Sequence, residues 1–177
     1  GGRGDGVPVS SLIELQNGAK PVAMLTGQPE QHYLLSGSGG YGFIAKLGDM
    51  VGRVKAGKVV MTVDSGETVL PPIAVYASSL INPDCKIVLA SSDHRLLAFS
   101  IGELKVMSKG RGLQLMSLAD GASLEHIMVT TSPEFTVVSV GRRGAEYQEK
   151  LRIADIDGKR GKKGKVLEIS GHLKSLS

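Results

Sequence analysis

The chain has 177 residues and ordinary apolar content, enough to bury one large core or two small ones. A single cysteine, Cys85, excludes an internal disulfide framework and a cysteine-rich zinc site, and no apolar run approaches the roughly 18 residues of a membrane helix. The net charge of +4 is unevenly placed: residues 141–177 hold ten cations against five acids, so the part before them is slightly acidic.

Glycine is abundant at 24 residues, tryptophan is absent and helix-forming runs are scarce, which points to an all-β chain of short strands and tight turns. Cys85 reads as a small buried hydrophobe in a reducing cytoplasm. Nothing at the N-terminus resembles a signal peptide, so a soluble, intracellular protein is expected.

In chain order, the opening GRGDGVPVSSLIEL from Gly2 looks like the end of a repeat. Residues 33–35 and 42–45 are then predicted strands, with residues 36–41 as a hairpin loop. A second copy follows, in which 87–90 and 95–99 flank a turn at 91–94. Laying YLLSGSGGYGFIAKLGDMV over IVLASSDHRLLAFSIGELK puts Leu47, Gly48, Asp49 and Met50 on Ile101, Gly102, Glu103 and Leu104, an offset of 54. A looser third copy begins at Thr136 and brings Ile153, Ala154, Asp155 and Ile156 to the same four positions.

Each copy runs on into a glycine and basic cluster and then an alternating apolar segment: AGKVVMTV from Ala56, GRGLQLMSL from Gly110 and GKKGKVLEI from Gly161. With Gly6, Gly57, Gly112 and Gly164 as equivalents, the steps are 51, 55 and 52 residues. The chain divides accordingly into repeats 7–57, 58–112 and 113–164 with a tail, 165–177. Repeats of this length with about four short strands suggest blades of a propeller-like disc, which bury on one another the faces a lone sheet would expose. Three repeats and a leading remnant make a partial or open ring.

The stretch GSGGYGF satisfies G-x-G-x-x-G through Gly37, Gly39 and Gly42. A dinucleotide turn must open a helix whose N-terminal amides face the pyrophosphate. No helix is signalled here, and the second copy has SSDHRL at the same place, so the glycines are expected to serve a hairpin turn with positive φ. Ser92, Asp93 and His94 are the residue types of a nucleophilic triad, but they are adjacent in a turn, whereas a triad converges through the fold. His32, His94, His126 and His172 show no ligand spacing. Neither a catalytic residue, a metal nor a cofactor is assigned.

The basic turns carry the functional reading. Glycine lets a backbone approach a phosphate closely, arginine grips it with two donors and lysine adds a mobile point charge. A solvated cationic face is the plainer account of the same charges. The candidate phosphate contacts are Arg3, Lys55, Lys58, Lys109, Arg111, Lys159, Arg160, Lys162, Lys163 and Lys165. Aromatics that would stack single-stranded bases are few, and Tyr33, Tyr41, Phe43, Tyr76, Phe99, Phe135 and Tyr147 mostly fall at strand positions expected in a core. Duplex DNA is therefore the better partner.

The segments GYGFIAKLGDMVGRVKAGK from Gly40, FSIGELKVMSKGRG from Phe99 and GKRGKKG from Gly158 resemble the C-terminal domain of the A subunit of bacterial topoisomerase IV. That family and the related domain of the gyrase A subunit form a β-pinwheel, a disc whose blades exchange strands and whose rim binds duplex DNA. One gyrase blade carries a QRRGGKG box needed for wrapping; GKRGKKG keeps Arg160, Gly161, Lys163 and Gly164 in a similar rhythm but lacks the glutamine and has Lys162 at a glycine position. The departure favours topoisomerase IV over gyrase. The resemblance implies a non-catalytic module in a bacterial cytoplasm, associated with the nucleoid, with strand cleavage assigned to another part of the full-length polypeptide. It also implies the rest of the A subunit, together with the B subunit, as partners. A scaffold docking a chromosome-organising protein is the competing reading.

Overall fold

A computed structural model describes residues 9–14, 21–169 and 171–177, with side chains from residue 25 onward. The chain forms two compact units: Gly1–Ile81 with Leu104–Leu113, and Asn82–Glu103 with Gln114–Ser177. In the first, β1 (Val9–Glu14) pairs antiparallel with β2 (Pro21–Gly27), and the hairpin β3 (His32–Ser36) and β4 (Tyr41–Lys46) leads directly into helix α1 (Leu47–Lys55). Strand β5 (Ile73–Val75) and the short helix α2 (Ala77–Leu80) follow. The second unit has the hairpin β6 (Lys86–Ser91) and β7 (Arg95–Ser100). Then come β8 (Leu113–Gln114), β9 (Leu124–Thr130), the hairpin β10 (Glu134–Val140) and β11 (Glu146–Arg152), β12 (Lys165–Val166) and β13 (His172–Leu176).

The three hairpins are the expected repeats. Their central residues pair as Leu35 with Phe43, Leu89 with Leu97, and Val137 with Glu149. In β3, β4, β6 and β7 the interior residues are buried on both faces, which is why these strands read as continuous apolar runs. Strand β10 alternates, burying Phe135, Val137 and Ser139, and β11 is almost wholly exposed.

Each hairpin acquires further strands in the same order. The sheets run β5-β3-β4-β8 and β12-β7-β6-β9, while the third is β11-β10-β13. The strand beside β4 or β7 thus arrives from beyond the next hairpin in sequence. The chain entering that strand repeats the exchange: Ile44 of β4 donates its N–H to Lys105 and accepts from Met107, and Ala98 of β7 donates to Ile156 and accepts from Gly158. Among the described residues nothing occupies the matching edge of β11. The apolar segments after the basic clusters are less regular than expected, reduced to the two-residue strands β8 and β12 and to an isolated bridge between Met61 and Gly110.

Helix α1 corrects the reading that no helix follows the first hairpin. Leu47 and Met50 are buried, Val51 and Val54 pack against the same core, and this i, i+3, i+4, i+7 stripe sustains a helix. Asp49 in the first turn and Arg53 and Lys55 in the last suit the helix dipole. In the other repeats Lys105 and Gly158 interrupt the stripe, and only single turns form, at Ile101–Glu103 and Ile153–Asp155.

One core holds Tyr33, Leu35, Phe43, Leu47, Met50, Val60 and Met61, and the other Val88, Ala90, Leu96, Phe135, Val137, Ile153 and Leu173. Tyr33, Phe43, Phe99 and Phe135 are buried as expected, and so is Cys85. Tyr76 and Tyr147 are exposed. No helix among the described residues is long and apolar enough to cross a membrane.

Candidate nucleic-acid interface

The glycine pattern at 37–42 is a hairpin turn. Gly37 donates to Tyr41 at 3.0 Å and Gly40 to Gly37 at 3.0 Å, and the chain then enters β4 rather than a helix. The left-handed residue is Gly40, at φ 87°, and not Gly37, Gly39 or Gly42. His94 holds the equivalent position in the second hairpin at φ 63°, which explains how that turn dispenses with glycine. Gly40→Ala should lower stability by about 1 kcal/mol, read as a fall in thermal midpoint.

Asp93 belongs to the second turn as a cap. Its carboxylate accepts from the Ser91 hydroxyl and faces Arg95 at 3.5 Å. The Ser91 hydrogen bond, with smaller contributions from the backbone and Arg95, holds its carboxyl below the usual carboxylate range. A depressed folded pKa stabilises above the unfolded value near ~3.9, and this support is lost as pH falls through the folded value. The parent should therefore lose more thermal stability than Asp93→Asn between about pH 5 and pH 2. Equal acid sensitivity of the two would show that the cap contributes nothing.

The basic turns are anchored by backbone contacts of one recurring kind. In the first unit Gly110 donates to Val60 at 3.1 Å and accepts from Thr62 at 2.9 Å. In the second Gly161 donates to Leu115 at 2.8 Å, and Ser117 donates to Lys162 at 3.0 Å. The closing glycines are tighter still. Gly112, at φ 89°, leaves no room for a Cβ, which would lie 2.2 Å from the Gly42 carbonyl oxygen; at Gly164, φ 81°, it would lie 2.5 Å from that of Leu96. Gly57 shares the left-handed backbone but faces open space.

On this frame the candidate cations divide. Arg111 is half-buried, stacked 3.9 Å above the Tyr41 ring and paired with Asp64 at 3.0 Å and Glu67 at 3.5 Å. Arg160 is also held: its Nη1 donates to the Gln114 carbonyl at 2.8 Å, and its amide donates to Glu103 at 3.1 Å. Lys55, Lys58 and Lys109 in the first unit are exposed, as are Lys159, Lys162, Lys163 and Lys165 in one loop of the second. Among the described residues none of these lysines forms an ion pair. Arg3 lies outside the described residues. Asp64, Glu67 and Tyr41, which engage Arg111, carry no signal of that role in sequence, since they are 47, 44 and 70 residues away from it. No group of three His, Cys, Asp or Glu side chains among the described residues could hold a metal ion.

Hairpins whose outer strand comes from beyond the next hairpin, with a glycine and lysine turn at each exchange, define a β-pinwheel, the fold of the C-terminal domains of topoisomerase IV and gyrase A subunits. The C-terminal domain of Escherichia coli ParC superposes with a TM-score of 0.75 at 23% identity, over 93% of this chain and 67% of that one. The C-terminal domain of DNA gyrase A superposes with a TM-score of 0.68 at 19% identity, over 94% of this chain and 56% of that one. The particular protein it is most informative to set beside the chain is the DNA topoisomerase 4 A subunit of Neisseria gonorrhoeae, 73% identical across all 177 residues. Its counterpart from Escherichia coli K12 is 26% identical over 171 residues. The chain spans 23% and 22% of the length of these two relatives. No family model matches.

Proposed function

We propose that the chain is a non-catalytic, duplex-DNA-binding module of a type II topoisomerase, which holds or bends a DNA segment on its lysine-bearing turns and so helps set the preference for DNA topology. The observation that carries this reading is the loop 158–166, where Lys159, Lys162, Lys163 and Lys165 are exposed and unpaired on a backbone pinned against β7 by Gly164. Such contacts neutralise phosphates and read no bases. Similarity to topoisomerase 4 A subunits supports the assignment, with the remainder of such a polypeptide and the B subunit of the enzyme as partners, and the bacterial cytoplasm as the compartment. Strand cleavage then belongs to parts of the enzyme outside this chain.

Titration with linear and supercoiled duplex at several salt concentrations tests it. If four to six phosphates are neutralised, log affinity should fall against log salt with a slope of about −0.9 for each, independent of base sequence. A flat salt dependence overturns the reading and favours a protein-docking scaffold.

A further inference from the structure

The third hairpin differs from the other two in what its turn carries. The first turn is uncharged, and the second holds Asp93, which pairs with Arg95. The third, GRRGA at 141–145, presents Arg142 and Arg143, both exposed. Every other described arginine is engaged: Arg53 with the Val59 carbonyl, Arg95 with Asp93, Arg111 with Asp64 and Glu67, Arg152 with Asp155, and Arg160 with the Gln114 carbonyl. Among the described residues Arg142 and Arg143 have neither an ion pair nor a side-chain hydrogen bond.

Backbone geometry sharpens the contrast. Arg143 is left-handed, at φ 65°, beside Gly144 at φ 77°, a region where the first hairpin uses glycine. A long side chain kept at such a position is costly to the fold, and such strain gathers at functional sites. The turn is closed by the Gly141 amide donating to Ala145 at 2.8 Å. Against it lies an open cleft of about 450 Å³ lined by Gly141, Arg142, Tyr147 and Gly171.

Register gives the turn its meaning. Gly42 and Leu96, the second residues of β4 and β7, are where the closing glycines of the basic turns, Gly112 and Gly164, pack. The second residue of β11 is Tyr147, which is 57% exposed and receives no basic turn among the described residues. The third hairpin thus has free arginines in its own turn where the other two receive lysines from the following repeat. Glu146 is engaged by Lys174, while Glu149, two residues along from Tyr147, bounds the site with negative charge.

We propose that Arg142 and Arg143, with Tyr147 beside them, form a further phosphate-binding site for the nucleic-acid backbone. The guanidinium groups take phosphate oxygens, and the tyrosine offers a hydroxyl donor and an apolar face to the sugar. The proposal rests on the DNA-binding reading above and extends it to a turn of a different kind.

The test compares the whole chain with a variant carrying Arg142→Ala and Arg143→Gly, the glycine suiting the left-handed backbone, and with one carrying Arg142→Lys and Arg143→Lys. Linear duplex is the probe. The Ala and Gly variant should lose up to ~1.8 from the magnitude of the salt slope with its thermal midpoint kept, and the double lysine variant should retain most of the slope. Should the Ala and Gly variant not fold, Arg142→Gln alone should lose up to ~0.9. Parental affinity and slope in a folded charge-removing variant, when Lys159→Ala, Lys162→Ala and Lys163→Ala together weaken binding, would overturn this site and leave the broader reading standing. A parent that does not bind duplex overturns both.

Discussion

Gly164→Ala should destabilise the second unit by about 3 kcal/mol or more, because two costs combine at one residue. The left-handed backbone disfavours any L side chain by roughly 1–2 kcal/mol. The added Cβ would also sit 2.5 Å from the Leu96 carbonyl oxygen, and that carbonyl is backbone within the β12–β7 pairing. Neither chain can yield without losing ladder hydrogen bonds, which places the change among the few mechanisms with large mutational effects. Gly112→Ala meets the Gly42 carbonyl at 2.2 Å and should behave alike. Gly57→Ala, with the same sign of φ and open space around it, should cost only the backbone term. Thermal melts separate the cases: falls on the order of 10 °C or more for the first two and of several degrees for the third. Equal falls in all three would show that close approach is not what these glycines provide.

Removing Lys159, Lys162 and Lys163 together, each to Ala, should reduce the magnitude of the salt slope by up to ~2.7 and weaken binding on every duplex sequence, with little change in thermal midpoint. These side chains are exposed and unpaired, so they can meet phosphates without first breaking a bond within the protein. Arg111→Ala should do the reverse. Its guanidinium already faces two carboxylates and an aromatic ring, so its loss should lower the midpoint by several degrees, the stacking alone being worth about 0.5–1 kcal/mol at such a site, and leave the slope nearly unchanged. Fluorescence anisotropy titrations paired with melts distinguish the two roles. A slope that falls for Arg111→Ala and stays for the triple lysine change would reverse the assignment.

Much of the fold is legible in local pattern. The strands at 33–35, 42–45, 87–90 and 95–99 are apolar runs between turn residues, and they form because burial on both faces rewards such runs wherever a hairpin can close. Repetition then excludes a nucleotide loop, since a turn occupied by glycines in one copy and by SSDHRL in the next supplies backbone geometry and not a ligand site. Helix α1 was less visible because its apolar stripe of Leu47, Met50, Val51 and Val54 is interrupted by Gly48 and Gly52, and burial outweighs their poor helix propensity.

By itself the sequence determined the repeat, the hairpins, the burial of most aromatics and the supply of cations, all properties of residues near one another along the chain. Which cations remain free was decided by tertiary structure alone. Arg111 and Arg160 looked like the strongest phosphate ligands by residue type, yet strand exchange brings Asp64, Glu67 and Gln114 to them across 44 to 47 residues of chain, and a guanidinium with several fixed donors is readily captured by such neighbours. The same holds for Gly112 and Gly164. Their positive φ is suggested by turn composition, but the carbonyls of Gly42 and Leu96 that forbid a side chain arrive from another repeat, and no local pattern records a contact between segments that meet only when the sheet is complete.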